Sequence, residues 1–218
     1  MRTSSMIASM AAVVVAGSAN AGVVDPFTQA QSFGNDSSSG FVSITGGLFN
    51  ERNAFRSTSA GGAGVRASSN DVAFTTNRAN FGLVGLTYQM AGGSSKDLSL
   101  LTGMSIALSA LNLSNGATGL NFFWLVTDVN SKQMYASQDL FSNGTSTFDF
   151  AAATQDLGFD LTKVTNLEVT VSQLGGPTSG STVSVSGTLS NFSYTAVPAP
   201  GALALLGAAG LAGARRRR

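Results

Sequence analysis

Any catalysis by this chain would have to fall to carboxylates, lysines or tyrosines. The sequence contains no His and no Cys, which removes the commonest general base, the Ser-His-Asp arrangement, a thiol nucleophile and the usual zinc ligands. Among what remains, Asp128-Val129-Asn130 is a D-x-N step that, with Asp139, carries the oxygen ligands calcium takes. The same residue types also turn a chain through side-chain bonds to the backbone, and that is the expected use. Glu51-Arg52 could read a polar ligand, but a surface ion pair of little energetic weight is the expectation. Phe122, Phe123 and Trp124 could stack on a sugar ring or pack in a core, and their wholly apolar setting favours the core.

Glycoside hydrolysis needs two carboxyl groups roughly 5 to 9 Å apart. Asp149, Asp156 and Asp160 are neighbours in sequence, with no sign that they converge. The alternation around Asp149 points it to solvent. Gly61-Gly62-Ala63-Gly64 lacks the strand-to-helix context and the Lys-Ser/Thr of a phosphate cradle, so it reads as a loop. No catalytic set and no cofactor is expected, and calcium is the single metal considered.

Charge excludes one partner class. All eleven acidic residues lie between Asp25 and Glu168, with seven basic residues in that span. The interior of the chain is therefore four charges negative and offers no basic face for phosphates, so nucleic acid is not an expected partner. The other basic residues are Arg2 and the run Arg215, Arg216, Arg217, Arg218.

Those outlying cations belong to two terminal signals. Arg2 precedes the uncharged, mostly apolar stretch Met6 to Ala16, and Ala19-Asn20-Ala21 places small residues where signal peptidase reads, with cleavage expected before Gly22. An apolar run this short spans about 16 Å of helix, too little to cross a bilayer stably. At the other end, Ala202 to Ala214 carries no charged or polar side chain, and the four arginines follow at once. A helix from Pro198 to Ala214 would be about 25 Å long, near the hydrocarbon thickness once the arginines snorkel. The positive-inside rule keeps that cluster cytoplasmic and puts the bulk of the chain on the outer side. Pro198 and Pro200 hold the approach extended, a form a processing enzyme can grip.

Val197-Pro198-Ala199-Pro200, a short apolar helix and a terminal Arg cluster resemble the PEP-CTERM sorting signal of bacterial exopolysaccharide-associated proteins. The resemblance implies retention in the inner membrane, recognition by an exosortase (a membrane cysteine transpeptidase) and delivery to the cell surface. The usual motif is Val-Pro-Glu-Pro, and Ala199 stands in the Glu position.

The elements between the signals read as strands. Short β-type runs separated by Gly, Ser, Asn and Thr cover 41–45, 71–76, 81–90, 104–113, 120–128, 145–150, 164–174, 182–186 and 188–195. Leu120 to Asp128, apolar on both faces, suits a central strand. This spacing predicts an all-β, jelly-roll-type β-sandwich over residues 22–196, flanked by an N-terminal signal helix (1–21) and a C-terminal transmembrane helix within the tail 197–218. Gly46-Gly47-Leu48-Phe49-Asn50-Glu51-Arg52-Asn53 and Phe159-Asp160-Leu161-Thr162-Lys163-Val164-Thr165-Asn166-Leu167 are similar to segments of exported bacterial galactose-binding-like sandwiches of unassigned activity. That likeness implies the fold, not a ligand.

The expected function is therefore that of an exported, non-enzymatic surface or matrix protein associated with exopolysaccharide. A carbohydrate-binding module with a loop site at Asp128 and Asn130 or at Glu51 and Arg52 is the alternative, and a carboxylate-dependent glycan hydrolase the second.

Overall fold

In an extended chain successive side chains point to opposite faces, so a run of alternating burial reports a strand with one face in the core. Such alternation recurs along the chain. The computed structural model describes residues 20–33, 38–57, 63–68, 71–78, 83–114, 116–176 and 183–197. Within them the strands in chain order are β1 (Asn20–Asp25), β2 (Gln31–Phe33), β3 (Ser38–Ser43), β4 (Glu51–Ser57), β5 (Ala63–Ser68), β6 (Asp71–Arg78) and β7 (Leu83–Gln89). They continue with β8 (Leu101–Ser114), β9 (Gly119–Asp128), β10 (Gln133–Leu140), β11 (Gly144–Asp149), β12 (Thr154–Gln155), β13 (Val164–Leu174) and β14 (Val183–Ala196).

The strands form two sheets. The first runs β11-β8-β14-β6-β5-β2, with β1 also paired to β14, and the second runs β12-β10-β9-β13-β7-β4-β3. The fold is an all-β, jelly-roll-type sandwich, and its compact unit covers Ala21–Ala196. Of the terminal segments only Asn20, Ala21 and Val197 are described. Ala19, Pro198, Ala199, Pro200, Arg215, Arg216, Arg217 and Arg218, and with them the two expected helices, lie outside the described residues. Ala21 lies within β1, so cleavage before Gly22 would leave Gly22–Asp25 as that strand. Among the described residues no helix is long and apolar enough to cross a membrane.

Aromatic rings knit the two sheets together. Tyr88 and Trp124 from the second sheet meet Phe192 from the first edge-on, at centroid distances of 5.5 and 5.7 Å. Trp124 stacks on Phe148 at 5.6 Å. All four are fully buried or nearly so, and burying each such side chain contributes about 1.5–3 kcal/mol. The Trp124 indole N–H donates to the Ser146 hydroxyl at 2.9 Å, so neither buried polar group is left unpaired.

The long β8–β14 pair contains three register irregularities, of which the first two compensate one another. Between Ser109 and Asn112, β8 carries an extra residue, and between Ser190 and Ser193 β14 does. Ala110 (φ 51°) and Asn191 (φ 50°) take the left-handed backbone at these points. The second bulge shifts the phase of β14: Val185 and Leu189 point inward before it, and Phe192 points inward after it.

Several sequence expectations change here. The two runs at 182–186 and 188–195 form one strand, because Gly187 continues the ladder with its Cα opposite Phe74. Ala110, expected to extend the inward set Met104, Ile106 and Leu108, is exposed at the bulge. Strands β4 and β10 were not foreseen: β10 buries only Met134, and β4 puts a charged residue, Arg52, into the core.

Candidate functional site

Strand alternation sorts the second sheet into two faces. Val84, Leu86, Tyr88, Trp124, Phe122, Leu167, Val169 and Val171 turn inward, which leaves the intervening residues on the outer face. Register then assembles that face row by row. One row is Asn53, Thr87, Glu168, Leu125 and Tyr135, and the next is Phe55, Gly85, Thr170 and Phe123. Phe41, 44% exposed, extends the first row at the edge through its pairing with Asn53.

Rings occupy both sides of this face. Gly85 points outward with no side chain, and a Cβ built there would lie 2.3 Å from Phe55 Cζ, so that ring covers the bare backbone of β7. Across the sheet, Phe123 and Tyr135 pair at 6.1 Å with a 31° tilt. Glu168 and Thr170 lie between the two aromatic positions. Polar groups surround the rings: Gln89 Nε2 donates to Glu51 Oε2 at 2.6 Å, and Asn121 Nδ2 to Asp139 Oδ1 at 2.6 Å. Burial raises the Glu168 carboxyl above the usual carboxylate range. A ring-bearing, acceptor-rich sheet face of this kind can stack apolar sugar faces and bond their hydroxyls.

Glu51 and Arg52 do not form the expected surface pair, because adjacent strand residues face opposite ways. Glu51 joins the outer face, whereas Arg52 is fully buried and bonded to Asp25 at 2.6 Å. Arg52 Nε also donates to Gln31 Oε1 at 2.9 Å, and Nη2 to the Gln29 carbonyl at 2.7 Å. Gln31 Nε2 donates to the Gly40 carbonyl at 2.8 Å, and Asp25 Oδ1 accepts from the Phe27 amide at 2.7 Å. The guanidinium lies 5.6 Å from the Phe27 ring centroid. This network ties the β1–β2 segment to β4. The Tyr88 hydroxyl sits beside it with no hydrogen-bond partner among the described residues, and burial, reinforced by the Asp25 charge, pushes the phenol well above its ordinary range. A cleft of about 400 Å³ lined by Val23, Asp25, Pro26, Asn191, Phe192 and Ser193 opens next to Asp25.

Asp128 is a loop organiser. It is buried, and Oδ1 accepts from the amides of Asn130 and Lys132 at 2.8 and 2.9 Å while Oδ2 accepts from that of Asp160 at 3.0 Å. Asn130 contributes its backbone N–H to this turn. Asp139 pairs opposite Asn121 at the far end of the β9–β10 hairpin, so the two aspartates proposed to share calcium are not brought together. Among the described residues no group of three or more acidic side chains is placed to hold a metal.

The remaining carboxylates serve their own turns. Asp149 accepts from the Ala151 amide and Asp156 from that of Gln133. Asp160 caps the turn Leu161–Lys163 by accepting from the Thr162 amide and hydroxyl, which lower its pKa. Phe122 and Trp124 are core residues as expected, but Phe123 belongs to the outer face. The signal that separates them is strand parity: odd-numbered positions of β9 and β10 face outward, which also selects Tyr135.

No protein-family model and no curated protein sequence matches the chain. Solved structures similar to it include the family 11 carbohydrate-binding module of a cellulosomal cellulase of Clostridium thermocellum, at 11% identity and a TM-score of 0.42 over 82% of this chain and 95% of that one. The xyloglucanase domain of NopAA from Sinorhizobium fredii, in complex with cellobiose, matches at 10% identity and a TM-score of 0.46, over 76% and 98% of the two chains. The family 11 xylanase from Neocallimastix patriciarum matches at 10% identity and a TM-score of 0.44, over 75% and 99%.

Proposed function

We propose that this is an exported, non-enzymatic surface protein whose sandwich holds polysaccharide on the outer face of its second sheet. The observation that carries this reading is the pairing of two aromatic positions on one open face, Phe55 laid over Gly85 and Phe123 beside Tyr135, with acceptor groups between and around them. Export and tail processing rest on the terminal sequence signals, and the exosortase and exopolysaccharide partners follow from the PEP-CTERM resemblance.

Glycan-array binding followed by titration calorimetry tests the site. Phe55→Ala and Tyr135→Ala should each weaken binding about tenfold, as loss of one stacking contact of roughly 1–1.5 kcal/mol implies, with little change in Tm for half-exposed Tyr135. A flat response to every polysaccharide would remove this function. A hydrolase has one observation in its favour: Glu51 and Glu168 share the outer face, with Cα atoms about 12 Å apart from strand spacing and rise. Release of reducing sugar that is abolished in Glu168→Gln would establish it in place of pure binding.

A further inference from the structure

We propose that the outer face of the second sheet selects glycans bearing free amino groups, with Glu168 receiving the ammonium; this rests on the polysaccharide-binding reading above. Three carboxylates stand on that face, and two are already engaged: Glu51 accepts from Gln89 and Asp139 from Asn121. Glu168 has no hydrogen-bond or ion-pair partner among the described residues. It sits at the centre of the face, flanked by Thr87 and Leu125 across the ladder, and is partly withdrawn from water.

A half-buried carboxylate without a partner is costly unless a counter-charge arrives from outside. None of the outward positions of β4, β7, β13, β9 and β10 described above is Lys or Arg, so the protein does not supply that charge itself. A hydrogen bond between an ammonium and a carboxylate is roughly twice as strong as a neutral one. The rings on either side of Glu168 would hold the pyranose faces while the carboxylate takes the amine. A uronate or sulfated polymer brings like charge to the same face and is disfavoured.

The test compares binding of the purified chain to a de-N-acetylated glucosamine polymer, its N-acetylated counterpart, a neutral glucan and a uronate polymer, at about pH 6, above the ordinary carboxyl pKa. The amine-bearing polymer should bind about tenfold tighter than the acetylated one. Glu168→Gln should erase that preference, bringing the ratio of the two affinities to about one whatever its effect on either polymer alone. Asp97→Asn, a fully exposed carboxylate in a loop, should leave the preference intact. Equal binding of amine and acetylated polymers overturns the inference and leaves the binding function standing, whereas binding to none removes both. An equal loss of preference in Asp97→Asn overturns the inference too, since unspecific attraction of a polycation then explains it.

Discussion

At the scale of single residues, burial decides what a charge is for. Arg52 is enclosed by acceptors on every side and faces Asp25 across 2.6 Å, so its charge holds segments together. Removing one partner strands the other in the core, which costs about 3–5 kcal/mol. Asp25→Ala and Arg52→Ala should each lower the unfolding free energy read from urea titration by that amount, and the double variant Asp25→Leu/Arg52→Met should recover part of the loss. Glu168 shows the opposite situation. Burial raises its pKa, so folding favours the protonated acid. That contribution is complete below the ordinary carboxyl pKa and is lost as pH rises through the raised one. Glu168→Gln should therefore melt above the parent at neutral pH, with the gap closing on acidification, as a series of Tm measurements against pH would read.

At the scale of elements, the bulges and the turn at Asp128 carry the shape. Ala110 takes a left-handed conformation that costs a residue with a Cβ about 1–2 kcal/mol. Ala110→Gly removes that strain and gives back part of the gain through the greater freedom of the unfolded chain. A net stabilisation of roughly 0.5–1 kcal/mol should appear in denaturant unfolding. Asp128 gathers three backbone amides from two loops. Asp128→Ala should cost about 1–3 kcal/mol, with faster hydrogen exchange at Asn130, Lys132 and Asp160. Added calcium should leave the Tm of the parent unchanged, because both carboxylate oxygens are already committed.

For the whole molecule, the sandwich presents two unlike outer surfaces. The first sheet exposes hydroxyls that bond one another across β8 and β14, such as Thr102 with Thr195 at 2.7 Å and Ser105 with Ser193 at 3.1 Å, whereas the second carries the rings and carboxylates. Polysaccharide binding should therefore map to the second sheet alone. The tail proposal predicts that the form released at the cell surface has lost Arg215 to Arg218, which intact-mass measurement would read directly. A released form retaining all four arginines would refute processing.

What could be read in advance follows from which interactions are local. Alternation and turn residues are local, so the strands at 71–76, 81–90, 104–113, 120–128 and 164–174, and with them the sandwich, were legible in the sequence by itself. So were the terminal signals as expectations, and the use of Asp128 as a turn former. Strand β4 was not legible, because its inward charge is satisfied by Asp25 and Gln31, 27 and 21 residues away. The sheet face escaped for the same reason. Phe55, Glu168, Phe123 and Tyr135 come from four strands and meet only through register. Pairing across strands is set by the packed core of both sheets, and no short window of sequence contains that information.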